Sequence, residues 1–200
     1  MKRFSSSPAG GCASDEGIKG LVRMKQARLI VMSGLPGAGK STIADALARQ
    51  LSAPILSVDP AEAAMWRSGL QKSKTGIAAY NVIEALADEN LKLGVSVIID
   101  AVNPVEAARD MWRQLADQNG VPLFFIEVRC SDQTIHKARI EARTRNIPGM
   151  SEVTWAQVQD RARAFEPWTG DRLLLDTAHA GPDALVAKAQ NYLDAEPGRR

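Results

Sequence analysis

The chain has 200 residues, 45% of them hydrophobic and 24% charged, enough for one domain with a full core. Its net charge of +2 gives no overall drive toward nucleic acid or an acidic membrane surface. Two cysteines far apart in sequence, Cys12 and Cys130, exclude a disulfide framework or a cysteine-rich metal cluster and make a reducing cytoplasm the expected compartment.

Residues 1–26 read as a flexible leader. Lys2 and Arg3 are followed by Ser5-Ser6-Ser7-Pro8-Ala9-Gly10-Gly11, which lacks the apolar core of a secretory signal. Met24, just before the first strand pattern, is a candidate start. No apolar run approaches the roughly 20 residues that span a bilayer, so no membrane partner is expected.

From residue 27 to 196 the pattern alternates strand and helix, with no internal repeat and no linker. Arg28–Ser33 is an apolar strand, and a helix over Lys40–Leu51 carries Ile43, Ala44, Leu47 and Leu51 on one face. Pro54–Val58 predicts a short strand ending at Asp59, and Ala61–Ser68 a helical turn. Gly76–Leu93 predicts a long helix, with Ile77, Tyr80, Val82, Ile83, Leu86 and Leu93 at helical spacing. Val95–Ile99 is a third strand, ending at Asp100. Asn103 and Pro104 predict the N-cap and first turn of a helix running to Gln118. Leu123–Val128 is a fourth strand, and Asp132 predicts the cap of a helix reaching about Arg145. A Pro148-Gly149 loop, a helix over Val153–Phe165, a strand at Leu173–Asp176 and a helix over Pro182–Leu193 complete the chain. Strands that are apolar throughout and alternate with helices imply an α/β fold: a parallel five-stranded sheet covered on both faces.

Gly34-Leu35-Pro36-Gly37-Ala38-Gly39-Lys40-Ser41 matches G-x-x-x-x-G-K-[ST] in full, between a strand and a helix. The chemistry needs those residue types. Glycines let successive backbone N–H groups turn toward phosphate oxygens, and the helix N-terminus favours the anion. Lys40 would place a point charge on the β- and γ-phosphates, and Ser41, with Thr42 beside it, would offer a hydroxyl to Mg²⁺. ATP and Mg²⁺ are therefore the expected cofactors.

Asp59 and Asp100 each end a strand, at the sheet edge where ligands of α/β sheets sit. One carboxylate is needed to support the metal and one to accept a proton from an attacking hydroxyl. Asp100, after the apolar Val95–Ile99, is expected at the metal. Asp59 is expected as the base, although Pro60 behind it also suits an N-cap. Arg139, Arg143 and Arg145 lie where a helix meets the Pro148-Gly149 loop. Arg139 and Arg143, four apart, share a helix face. Arginines on a mobile segment can stabilise charge on a transferring phosphoryl group, so residues from about 143 to 153 are expected to form a small helical lid. The same cluster also suits a solvated basic face at a helix C-terminus. His136 and His179 have no metal-ligand spacing and carry no assigned role.

These residues resemble the small P-loop kinases that include polynucleotide 5′-kinase domains, zeta toxins and chloramphenicol phosphotransferase. The resemblance rests on Gly34–Thr42, Ser57–Asp59, Leu91–Pro104, Arg109, the Arg139/Arg143 pair, Phe165-Glu166-Pro167 and Leu175-Asp176-Thr177. It implies a three-layer P-loop fold with sheet order 2-3-1-4-5 and ATP as donor. It implies Lys40, Asp59, Arg139 and Arg143 as catalytic residues, and Asp176 and Thr177 near the adenine. The acceptor site would lie over residues 61–79, with Trp66, Arg67, Tyr80 and Arg109 as substrate contacts and Lys72 and Lys74 as further cations. One departure stands out: polynucleotide kinases carry an arginine three residues after the base, where this chain has Glu62.

The leading expectation is an ATP-dependent kinase acting on a hydroxyl of a small molecule. A polynucleotide 5′-hydroxyl kinase, a zeta-type kinase acting on a nucleotide sugar, and an ATP-binding switch with little transfer activity stand as alternatives, with nucleic acid the less favoured partner. A switch needs neither an acceptor base nor a lid, so Asp59 and the arginines argue against it.

Overall fold

The computed structural model describes residues 26–195. The leader, apart from its last residue, Cys12 and the candidate start Met24 lie outside the described residues. Among these, no helix is long and apolar enough to cross a membrane.

The strands are β1 (Leu29–Ser33), β2 (Ile55–Ser57), β3 (Val97–Asp100), β4 (Leu123–Arg129) and β5 (Leu173–Asp176). They form one parallel sheet in the order β2-β3-β1-β4-β5. The helices are α1 (Lys40–Leu51), α2 (Val58–Arg67), α3 (Lys72–Lys92), α4 (Glu106–Asn119), α5 (Gln133–Glu141), α6 (Trp155–Arg163) and α7 (Pro182–Asp194). Successive residues of a strand point to opposite faces, so β1 divides its side chains between two cores. Ile30 and Met32 join Ile98, Phe124, Ile126 and Val128 under α1 and α7. Leu29 and Val31 join Val97, Ile99 and Phe125 under α3 and α4. All five residues of β1 are buried, as a central strand covered on both faces requires. The register aligns Ser57 and Met32 with Asp100, so the chain leaves β1, β2 and β3 at one edge of the sheet.

Four expectations are corrected by packing. Val58–Arg67 forms a complete helix rather than a turn beginning at Ala61. In α3 the buried row is Thr75, Ala79, Ile83, Ala87 and Leu91, while Ile77 and Leu93 are each 79% exposed and Leu86 is 47% exposed. Alanines on the inner face let α3 lie against α2 and α4, and the larger aliphatic side chains turn outward.

Asn103 is not the cap of α4, whose N-cap is Val105. Its backbone adopts φ 50°, and its buried amide ties elements together instead. Nδ2 donates to the Met32 carbonyl (2.8 Å), and Oδ1 accepts from Trp112 Nε1 (2.8 Å). Helix α5 does take Asp132 as its cap, through bonds from the Thr134 and Ile135 N–H groups, but it stops at Glu141. Arg143 and Arg145 are therefore in a loop, the segment from 143 to 153 contains no helix, and Arg139 and Arg143 share no helix face.

Candidate active site

The loop after β1 is shaped by positions where no side chain fits. Gly34 has φ +130°, and a Cβ there would lie 2.0 Å from the Val128 carbonyl oxygen. Gly37 has φ +78°, and its Cβ would lie 2.6 Å from Ile140 Cδ1. Only glycine meets both demands, because it alone visits positive φ without cost and adds no atom. The curled backbone is held from outside. His136 Nε2 donates to the Pro36 carbonyl (2.8 Å), and Thr177 Oγ1 donates to the Ala38 carbonyl (2.9 Å). Gly39 then caps α1 in the left-handed conformation, leaving the first N–H groups of the helix without a side-chain partner. That is a cradle for an anion.

Lys40 projects from the first turn of α1 and is 9% exposed. Its ammonium donates to the Leu35 carbonyl (3.2 Å). Burial pulls its pKa below the ordinary lysine value, with Asp100 and Asp59 opposing. Ser41 Oγ donates to Asp100 Oδ2 at 2.8 Å. One hydroxyl and one carboxylate at this spacing fit a small hard cation that takes its remaining oxygens from phosphate and water. Among the described residues no group of three or more His, Cys, Asp or Glu could hold an ion alone.

A cavity of about 630 Å³ opens over this cradle, reaching Lys40, Asp59, Asp100, Arg139, Arg143 and Thr177. Its lining also includes the apolar Ile43, Ala180, Pro182 and Leu185. Arg143 is half-buried, and its Nη1 is buried with no hydrogen-bond partner among the described residues. Burial and the adjacent Arg145 lower its pKa, yet a guanidinium keeps its charge in proteins. A buried, unsatisfied cation facing a cavity fits an anion.

A second cavity, of about 160 Å³, lies between α2 and the 145–161 segment. Trp66, Lys72, Glu62, Glu152 and Arg161 line it. Asp59 and Arg145 line both cavities and form the wall between them. Asp59 Oδ2 accepts from Arg145 Nη1, and Arg145 also bridges to Glu152 through Nε (3.4 Å). Arg145 is expected from the sequence only as one of the lid arginines, with no contact of its own. Its partners come from 86 residues before it and seven after, and no local spacing reveals them.

Over residues 29–168 the sequence matches a family model described as an AAA domain. The chain belongs to this AAA domain family. A probable adenylyl-sulfate kinase from Aeropyrum pernix is 25% identical over 162 residues, covering 74% of this chain and 82% of that protein. Among solved structures, an unliganded sugar kinase from Janibacter sp. superposes with a TM-score of 0.63 at 22% identity, covering 86% of this chain and 96% of that one. An APS kinase from Mycobacterium tuberculosis in complex with AMPPNP and APS gives 0.61 at 18% identity, covering 85% and 99%. These likenesses make the chain a kinase-like P-loop domain with the P-loop kinase fold.

Within this AAA domain the remaining expected residues separate. Pro36, Gly37, Gly39, Ser41 and Thr42 line the larger cavity, while Gly34, Leu35 and Ala38 shape the loop behind it. Arg139 donates to Thr177 Oγ1 (2.6 Å) and to the Thr177 carbonyl (3.0 Å), which sets it on β5's side of the cavity and away from Asp59's wall. Asp176 does not line the cavity. Burial would raise its pKa, but bonds from Ser131, Ala178 and Arg129 outweigh that and hold the carboxyl far below the usual carboxylate range.

Three expected acceptor contacts are corrected. Arg109 is fully buried and lines neither cavity. Its guanidinium donates to the carbonyls of Asn103, Pro104, Glu166 and Pro167 and to Glu106, and it lies 4.1 Å from the centre of the Trp168 ring. Tyr80 is enclosed beside Trp112, and its Oη accepts from the Asn103 N–H (3.1 Å). Burial pushes that phenol up to about 12. Arg67 is exposed, donates to the Pro148 carbonyl and lines neither cavity. Trp66 does line the smaller cavity, with Nε1 donating to Thr75 Oγ1 (2.7 Å) and Lys72 Nζ 4.4 Å from its ring centre. Glu62, at the departure from the polynucleotide pattern, accepts from Thr75 Oγ1 (2.9 Å). His136, set aside in the sequence, supports the phosphate loop and meets Trp155 of α6 edge-on, 5.2 Å between ring centres.

Proposed function

We propose that this domain is a Mg²⁺-dependent kinase that moves the γ-phosphoryl of ATP to a hydroxyl of a small molecule. The observation that carries this is the position of Asp59, in the wall shared by a phosphate-cradling cavity and a smaller polar one. A nucleotide in the larger cavity and an acceptor in the smaller would meet at that carboxylate.

The phosphate loop, Lys40 and Arg143 hold and polarise the triphosphate. Arg139, Thr177 and the apolar Ala180 and Leu185 receive the nucleoside. Ser41 and Asp100 are the residues for Mg²⁺, which would neutralise charge on the β- and γ-oxygens. Asp59 takes the proton of the acceptor hydroxyl as that oxygen bonds to the γ-phosphorus. The bond from that phosphorus to the β-bridging oxygen breaks, ADP leaves, and Asp59 returns the proton to water. The protein's work is positioning and charge stabilisation, as phosphoryl transfer requires.

The test is ATP turnover across sugars, sugar acids, nucleosides and 5′-hydroxyl oligonucleotides. Turnover with a small hydroxyl compound supports the reading. Turnover with oligonucleotides alone would move it to the polynucleotide alternative, against which the 160 Å³ acceptor cavity and Glu62 speak. Protein that binds ATP yet phosphorylates none of them would contradict it.

A further inference from the structure

The base in this site is not free. Asp59 Oδ2 is occupied by a guanidinium N–H, and an oxygen that accepts a charge-assisted bond is a poor proton acceptor until that donor leaves. Arg145 is itself anchored on its other side. Its backbone N–H donates to Glu152 Oε1 (2.6 Å), its Nε reaches Glu152 Oε2 (3.4 Å), and Nη2 lies 3.4 Å from Met150 Sδ. Only the end that meets Asp59 can be exchanged without undoing the segment.

The other charges of the smaller cavity are unevenly matched. Its carboxylates are Asp59, Glu62 and Glu152, and its cations are Lys72, Arg145 and Arg161. Glu62 accepts a hydroxyl bond from Thr75. Arg145 serves both Asp59 and Glu152. Lys72 sits on the Trp66 ring and Arg161 is exposed, and neither has a carboxylate partner among the described residues. A neutral hydroxyl compound offers a guanidinium less than the carboxylate it would have to leave. An anionic group offers an equal partner, and two unpaired cations stand at the same cavity to receive it. At about 160 Å³ the space is below the roughly 300–1,000 Å³ of drug-sized sites, which suits a single sugar-sized acceptor.

We infer that the acceptor is a small hydroxyl-bearing anion whose charged group draws Arg145 off Asp59, so that acceptor charge unmasks the base. This rests on the kinase reading above. It makes Arg145 a specificity-determining residue and adds Arg161 as a second contact for the acceptor's anion. A carboxylate and a phosphate share the chemistry that would recruit Arg145.

The decisive experiment compares matched acceptors in the intact protein: five- and six-carbon aldonates, the parent neutral aldoses, and the corresponding aldose monophosphates. One charge-assisted bond is worth about 1.5–3 kcal/mol, so kcat/KM for an anionic member should exceed that of its neutral parent by about ten- to a hundredfold. The aldonate and phosphate arms tell which anion fits. Arg145→Gln should collapse that preference, bringing the anionic-to-neutral ratio of kcat/KM close to one, whereas a merely structural role would slow both classes alike and leave the ratio unchanged. Arg161→Gln should raise KM for the anionic acceptor with little change in kcat. Neutral aldoses used as well as their anionic partners by the wild type would overturn the inference and leave the kinase reading standing. No turnover of any member by ATP-bound protein would sink both.

Discussion

Two arginines, one expected as an acceptor contact and the other as a catalytic residue, have opposite surroundings. A buried guanidinium costs several kcal/mol to desolvate unless hydrogen bonds replace its water. Arg109 has those bonds, from four carbonyls and Glu106. Arg109→Leu would strand these acceptors and should cost about 3–5 kcal/mol in urea unfolding, with ATP affinity of the folded fraction unchanged. A variant of native stability with a raised acceptor KM would return Arg109 to the acceptor site. Arg143 leaves Nη1 unpaired at the larger cavity. Arg143→Ala should lower kcat by roughly 10²–10³ with no loss of thermal stability, because the proposed mechanism sets this side chain against the transferring phosphoryl group. Unchanged kcat would remove it from the site. Sequence pattern could not separate the two. Arg109's partners Glu166 and Pro167 are 57 and 58 residues away, and only the folded loop brings them over α4.

The strands were the legible elements. Each is an apolar run bounded by turn residues, and the central strands, covered on both faces, have no other pattern available. Their ends were legible too: Gly34 follows β1 directly, Asp100 closes β3, and Asp59 lies just past β2, in the first turn of α2. Helix limits and helix faces were harder to read. In α3, alanines decide which side is buried, and the larger aliphatics mislead. Helix α5 ends at Glu141 because the chain beyond is captured by Glu152 and Asp59, pairings that no local propensity announces. The turn from β5 into α7 is fastened by Asp176, which joins Arg129 and Ser131 to Ala178. Its pKa is depressed in the folded protein, so its contribution is present above the unfolded value of about 3.9 and is lost as pH falls toward the folded one. Asp176→Asn should therefore unfold at lower urea than the wild type at pH 7, with the gap narrowing below about pH 4. A gap independent of pH would mean that the amide loses shape complementarity rather than charge.

At the scale of the molecule, the segment after α5 joins both halves of the site. Arg67 holds it at Pro148, Arg145 holds it at Asp59, and Trp155 reaches the phosphate loop through His136. The family match, the sheet order and the phosphate cradle together define a kinase-like P-loop domain. The proposed acceptor half depends on the smaller cavity, whose walls come from α2, the start of α3, the segment over residues 145–153 and α6. That is why the donor half could be read as a motif while the acceptor half could not: its shape is made by residues far apart in the chain. The central claim is that Asp59 takes the proton at the wall between the cavities, and the most direct measurement pairs ATP affinity with phosphoryl transfer in Asp59→Asn. The account predicts ATP binding within a fewfold of the wild type and transfer reduced by roughly 10²–10⁴. Transfer at the wild-type rate with ATP still bound would contradict it.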